Sequence, residues 1–259
     1  MIERSEWLKQ MREKAEIIYD LWASTSSFET DENAAKARVE AHVQYLEEFI
    51  RRVPPRGNVL SAGCGAGRYD GMLLDAGHSV VGIDLSERLL MHARKLYPTI
   101  RYEHMALQEM SFQNEFDGAI CIEALEHVFP EEWPVIVHGF REALKPGGVL
   151  YFTLDIMEDS KYLEESYEKA KSRGLPVVFG EVADEVDIAF EKVMAAEHGN
   201  VPDEVGDKAV YHYYPGVEQV RTWLYKEKFA IEVQGTGKFA WGSDNAFEAT
   251  YEHFVVRKQ

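Results

Sequence analysis

Cysteine is scarce, with two residues in a chain of 259. That scarcity excludes a disulfide framework, and neither cysteine stands in a Cys/His spacing that builds a zinc site, so the sequence points to a reducing compartment. Positive charge is short as well: 28 Lys and Arg face 45 Asp and Glu, a formal net charge of −17. A protein that binds nucleic acid through its phosphates needs a basic surface to displace counterions, so this balance disfavours DNA or RNA as partner. Long apolar runs are missing too. No stretch reaches the roughly 18 residues of a membrane span, and the start, MIERSEWLKQMREK, alternates charged with apolar residues in place of a signal-peptide core. The expectation is a cytoplasmic chain with no membrane partner.

What is present is enough for a packed interior, since 46% of the residues are hydrophobic and 12% aromatic. In residues 2–22, Trp7, Leu8, Met11, Ala15, Ile18, Tyr19 and Trp22 recur at three-to-four spacing, which predicts one buried helical face. A second helix, capped by Asp31 and running to about Arg52, carries Val39, Val43, Leu46 and Ile50 on one stripe and stops at Pro54-Pro55. From Asn58 the rhythm becomes short apolar runs separated by helical stretches, the alternation of a parallel sheet with crossover helices. Strands are predicted at Asn58–Ala62, Ser79–Ile83, Ile100–His104, Phe116–Ile122 and Gly148–Leu154, with helices near Gly67–Ala76, Glu87–Leu96 and Glu132–Leu144. The turn Lys145-Pro146-Gly147-Gly148 ends the last helix. Residues after 154 are helical in composition, at Lys161–Arg173 and Asp184–His198, and read as an insertion. A helix to about Lys228 and strands Phe229–Gln234 and Phe247–Arg257 close the chain. The resulting expectation is an α/β fold in one domain: N-terminal helices in 1–56, a core in 57–154, a helical insertion or lid in 155–215, and a closing helix and strands in 216–259.

The segment Val59-Leu60-Ser61-Ala62-Gly63-Cys64-Gly65-Ala66-Gly67 sits where the first strand meets its helix. Glycines there let backbone N–H groups approach a ligand, and the helix N-terminus adds positive potential. Asp84 ends the second strand, where a carboxylate accepts hydrogen bonds from both hydroxyls of a ribose. Loop and acid together describe a nucleoside site. Dinucleotide binders carry G-x-G-x-x-G, but here the third glycine is Gly67 and Arg68 fills the place that pattern reserves, so the loop is G-x-G-x-G.

With this loop, the sequence resembles the class I S-adenosylmethionine-dependent methyltransferases. Leu60–Gly67 is similar to their first motif and Asp84 to their ribose-binding acid. Phe116–Val128 resembles their fourth-strand motif, Leu144–Leu150 their turn into the fifth strand, and Tyr251–Val256 their last strand. The resemblance implies a Rossmann-like, seven-stranded, mostly parallel sheet with helices on both faces, S-adenosyl-L-methionine as cofactor and S-adenosyl-L-homocysteine as product. Carried over residue by residue, Gly63, Cys64, Gly65 and Gly67 would line the methionine portion, Asp84 and Leu85 would hold the ribose, Ala106, Leu107 and Gln108 would flank the adenine, and Ile122 and Glu123 would lie near the methionyl group. The chain departs from the family at Ser61, often an acid, and at Met105, often an aspartate facing the adenine amino group; Gln108 or Glu109 are the candidates to replace the latter.

Methyl transfer is an in-line displacement on an activated carbon, so the protein mainly aligns the acceptor and excludes water, with a base where the acceptor arrives protonated. His127, within Glu123, Glu126 and His127, and His212, within Tyr211-His212-Tyr213-Tyr214, are the candidate catalytic residues. The E-x-x-E-H spacing can place Glu123 and His127 one turn apart on one face, and similar triplets bind magnesium in some family members; here no metal site is assigned because no further ligand can be named. The reading is methyl transfer to N or O of a small-molecule acceptor. Its alternatives are a metal-assisted methyltransferase on RNA or a catechol-like acceptor, and a non-catalytic nucleotide-binding module. The acidity is concentrated: residues 155–207 hold 15 acids and 5 bases, which weighs most against a polyanionic acceptor.

Overall fold

The computed structural model describes residues 4–23, 32–129, 132–156, 216–241 and 247–259. Helices α1 (Arg4–Ala23) and α2 (Glu32–Ile50) precede β1 (Asn58–Ala62), α3 (Asp70–Asp75), β2 (Ser79–Asp84), α4 (Glu87–Leu96) and β3 (Arg101–His104). Then come β4 (Phe116–Cys121), α5 (Trp133–Ala143), β5 (Leu144–Ile156), α6 (Val217–Lys226), β6 (Phe229–Trp241) and β7 (Phe247–Lys258). They form one seven-stranded sheet in the order β3-β2-β1-β4-β5-β7-β6. The pairs from β3 through to β5 are parallel, and β7 pairs antiparallel with both β5 and β6. This is the Rossmann-like sheet expected. Its order reverses between β1 and β4, which opens a crevice at their carboxyl ends, where an α/β sheet binds its ligand.

Alternate residues of each strand feed opposite faces, because side chains along a strand alternate. Leu60, Ala119 and Val256 belong to an apolar cluster with Trp133, Phe140 and Leu224 of α5 and α6. Their neighbours Val59, Ile120 and Val255 join Phe49, Leu73 and Leu90 of α2, α3 and α4. Helix α2 is built into that layer: a Cβ on Gly118 of β4 would lie 2.7 Å from Phe49 and Val53, so the glycine is what lets the helix sit so close.

Boundaries differ from expectation by three residues or more in three elements. Strand β6 runs on to Trp241, seven residues beyond Gln234. The Gly235-Thr236-Gly237 step, just past the expected end at Gln234, lies inside the ladder, at the place where α2 crosses. A Cβ on Gly235 would strike the Tyr45 hydroxyl, and one on Gly237 would lie 2.8 Å from the Ala41 carbonyl. Helix α3 begins at Asp70, not Gly67, because Gly67 has φ +81°, outside helical space. Strand β5 begins at Leu144, paired with Phe116 before a register shift that the Lys145–Gly148 segment absorbs. The expected helices Lys161–Arg173 and Asp184–His198, the Asp31 cap and the Tyr211–Tyr214 cluster with His212 lie outside the described residues.

Candidate active site

The glycine loop follows β1 and turns back on itself with Gly63, Gly65 and Gly67 at φ +62°, +52° and +81°, a region that side chains other than glycine rarely adopt. Two of these glycines also serve distinct contacts. A Cβ on Gly63 would lie 2.5 Å from Ala124 Cβ, so the loop packs directly on the turn after β4. On Gly65 a Cβ would find its nearest neighbour, Leu89, at 3.9 Å, so the loop is least crowded there. The loop is tied to β2, since Cys64 N–H donates to the Ile83 carbonyl at 3.0 Å. Burial, followed by the Asp84 and Asp70 carboxylates, pushes the Cys64 thiol well above its ordinary range, making it a packing residue and not a nucleophile.

Asp84 accepts backbone N–H bonds on both oxygens, from Gly65 at 2.7 Å and from Ser86 at 2.8 Å. Burial pushes its carboxyl up, and the two amide bonds hold it down. The bonds fix the carboxylate's orientation at the end of β2, and each oxygen keeps a further lone pair for a ribose hydroxyl. Ser86 caps α4 by accepting from Leu89 N–H at 3.1 Å. Leu85 follows Asp84, and its carbonyl accepts from His104 at 2.7 Å. Ala106 is buried, and Leu107 and Gln108 lie on a short 3₁₀ turn. The Gln108 amide donates to Glu132 at 2.9 Å, and Glu109 accepts from Ala106 N–H at 3.4 Å; these are the present engagements of the two candidates for the adenine edge.

Ile122 is buried at the end of β4. Glu123, with φ +54°, is turned out of the following 3₁₀ turn, Leu125–His127. Its carboxylate faces α2 and the glycine loop: His42 Nε2 lies at 2.8 Å, the Tyr69 hydroxyl donates at 3.0 Å, and Arg68 stands at 3.7 Å. His127 goes the other way and meets the Tyr19 ring of α1 edge-on at 5.5 Å. The shared face expected from the E-x-x-E-H spacing is therefore not formed, because a left-handed residue interrupts the turn. Among the described residues no three of His, Cys, Asp or Glu stand together as metal ligands, so these side chains do not fit a cation as arranged.

Helix α1 lies across the carboxyl ends of the strands. Arg12, Glu16 and Asp20, four residues apart on one stripe, each dock at the carboxyl end of a different strand or just beyond it. Arg12 pairs with Glu132 at 2.5 Å, Glu16 with His104 at 3.1 Å, and Asp20 accepts from the Ser86 hydroxyl at 2.5 Å and from Arg88 N–H at 3.1 Å. These contacts were not predicted from sequence, where α1 read only as an apolar stripe. Asp70 was missed too: it is wholly buried beneath the loop, accepts from the Tyr102 hydroxyl at 2.7 Å, and burial pushes its carboxyl up.

The family model for a methyltransferase domain matches residues 59–148, the span of β1 through the turn into β5. A Bacillus cereus protein named as an uncharacterized methyltransferase is 30% identical over 164 residues, covering 61% of this chain and 74% of its own length. The chain belongs to the class I S-adenosylmethionine-dependent methyltransferases. Solved structures agree in fold. The 1,6-didemethyltoxoflavin N1-methyltransferase of Burkholderia thailandensis, with its substrate and S-adenosylhomocysteine bound, superposes with TM-score 0.61 at 16% identity, over 100% of this chain and 92% of that one. Magnesium protoporphyrin IX methyltransferase of Synechocystis PCC 6803, with S-adenosylmethionine bound, gives 0.59 at 13% identity, over 96% and 97%. The enzyme uses S-adenosylmethionine and releases S-adenosylhomocysteine. The open glycine cradle and the oriented Asp84 fit that cofactor. Among the described residues no helix of this methyltransferase is long and apolar enough to cross a membrane.

Proposed function

We propose that the enzyme transfers a methyl group to a nitrogen or oxygen of a small-molecule acceptor. The observation that supports this is α1: three side chains of one helix dock at the carboxyl ends of β2, β3 and β4, and a helix laid over that edge of the sheet favours an enclosed small acceptor over a polymer. The net charge of −17 adds to the case against a polyanion. The Burkholderia neighbour is, by its name, the N1-methyltransferase of 1,6-didemethyltoxoflavin, which supports a small-molecule acceptor here.

In this reading Gly63, Cys64, Gly65 and Gly67 line the methionine portion of the cofactor, Asp84 and Leu85 hold its ribose, Ala106, Leu107 and Gln108 flank its adenine, and Ile122 and Glu123 lie at the methionyl end. The cofactor supplies a methyl group already activated on a sulfonium. The chain's own part is to align the acceptor and exclude water. His127, steadied by the Tyr19 ring, and His212 are the groups assigned to take a proton from the acceptor. A screen of amines, phenols and nitrogen heterocycles, read as S-adenosylhomocysteine formed, tests the proposal. Turnover with a member of these classes is expected; turnover confined to RNA or protein would overturn it.

A further inference from the structure

We propose that His42 of α2 is a positioning residue of the methyl-transfer site, holding the Glu123 carboxylate at the methionyl end of the cofactor. The inference rests on the assignment of Glu123 to that end. His42 lies outside the matched domain of residues 59–148 and 81 positions from Glu123 in sequence, yet its Nε2–H donates to Glu123 Oε1 at 2.8 Å.

The imidazole is fully buried and caged by three rings: Tyr69 at 5.9 Å and 81°, Tyr251 at 5.0 Å and 75°, and His253 at 5.1 Å and 59°. A ring so enclosed has one rotamer, so the direction of its N–H is fixed by packing. The helix backbone is fixed there as well. The Tyr151 hydroxyl of β5 donates to the His42 carbonyl at 3.5 Å and stands 3.1 Å from His253 Nδ1, and the Tyr45 ring stacks on His253 at 4.0 Å and 9°. Burial, with His42 beside it, holds His253 down to about 3, so this support stays uncharged at neutral pH. Strands β5 and β7 therefore fix α2, α2 fixes His42, and His42 fixes Glu123.

Two donors converge on one oxygen of Glu123, from His42 and Tyr69, while Arg68, the residue after the glycine loop, faces the other at 3.7 Å. The result is a negative group and a positive group side by side next to the loop. Their charges complement the ammonium and carboxylate of an α-amino acid, which is the end of the cofactor that a methionyl subsite has to hold. Aligning Glu123 in advance removes the cost of ordering that side chain when the ligand binds.

The test compares two ligands by calorimetry: S-adenosylhomocysteine, and 5′-methylthioadenosine, which lacks the amino-acid portion. His42→Leu and Glu123→Gln are each expected to weaken S-adenosylhomocysteine about tenfold and leave 5′-methylthioadenosine within twofold. The double variant should lose no more than either single one. His42→Gln, which keeps an N–H donor, is expected to restore most of the affinity, and Tyr69→Phe, which removes the other donor and opens no cavity, to cost about threefold should His42→Leu fail to fold. Unchanged S-adenosylhomocysteine affinity in His42→Leu, or equal losses for both ligands, would overturn the role of His42. A wild-type protein that binds the two ligands equally would instead overturn the placement of Glu123 at the methionyl end.

Discussion

The two halves of the crevice are built by different means. On the β1–β2 side, the groups proposed to hold the cofactor are backbone amides and one carboxylate, held by bonds between residues at most 19 apart, as in Gly65 to Asp84. On the β4 side, Glu123 is held by side chains drawn from α2 and the loop before α3, one of them 81 residues away. The first half is a local device that any β–loop–α unit can carry. The second exists only once α2 has packed on the sheet. A family model that matches residues 59–148 covers the first half completely and the second only in part.

The largest effect is expected from breaking the local half. Gly65→Val puts a β-branched side chain at φ +52° and fills the space above the loop; S-adenosylhomocysteine binding should fall more than about 100-fold by calorimetry, and the backbone strain should lower stability by about 1 to 3 kcal/mol, read as a drop in the thermal midpoint. Asp84→Asn comes next. Removing the charge from the doubly hydrogen-bonded carboxylate proposed to hold the ribose is expected to cost about 10- to 100-fold, and the loss should be the same for S-adenosylhomocysteine and 5′-methylthioadenosine, because both carry the ribose.

The far half can be stressed by acid. His253 is held down to about 3 in the folded protein against an ordinary 6.5, so between those values the unfolded chain binds the extra proton and stability falls as the pH falls. From pH 6.5 to about pH 4.5 the decline amounts to at most about 2 to 3 kcal/mol. The raised carboxyls of Asp70 and Asp84 act with the opposite sign, so the comparison to make is between wild type and His253→Gln. Urea midpoints across that range should decline less steeply in the variant. The smallest effect is assigned to helix α1: Asp20→Ala removes the partner of the Ser86 hydroxyl and of Arg88 N–H at the start of α4, and should cost about 1 kcal/mol of stability and speed S-adenosylhomocysteine release about threefold in stopped flow.

The same contrast explains what could be read from sequence. The glycine loop, Asp84 and the turn into β5 are legible because their chemistry requires particular residues at short spacing. His42 could have been found by one signal: it falls on the stripe with Val39, Leu46 and Phe49, and a polar residue on a buried stripe requires a partner. The partner itself could not be named, because nothing local links α2 to the end of β4. The length of β6 was hidden for a related reason. Gly235 and Gly237 break the apolar pattern just past Gln234, and only the approach of Tyr45 and Ala41 shows that they make room for a helix. The E-x-x-E-H string is the opposite case: its spacing suits a regular helix, but the φ of +54° at Glu123 parts that residue from His127.

The claim that the crevice has a nucleoside half and an amino-acid half is tested most directly by one set of titrations, S-adenosylhomocysteine and 5′-methylthioadenosine against wild type, Asp84→Asn and Glu123→Gln. The prediction is that Asp84→Asn weakens both ligands equally, whereas Glu123→Gln weakens only S-adenosylhomocysteine. Equal losses for both ligands in both variants would contradict it.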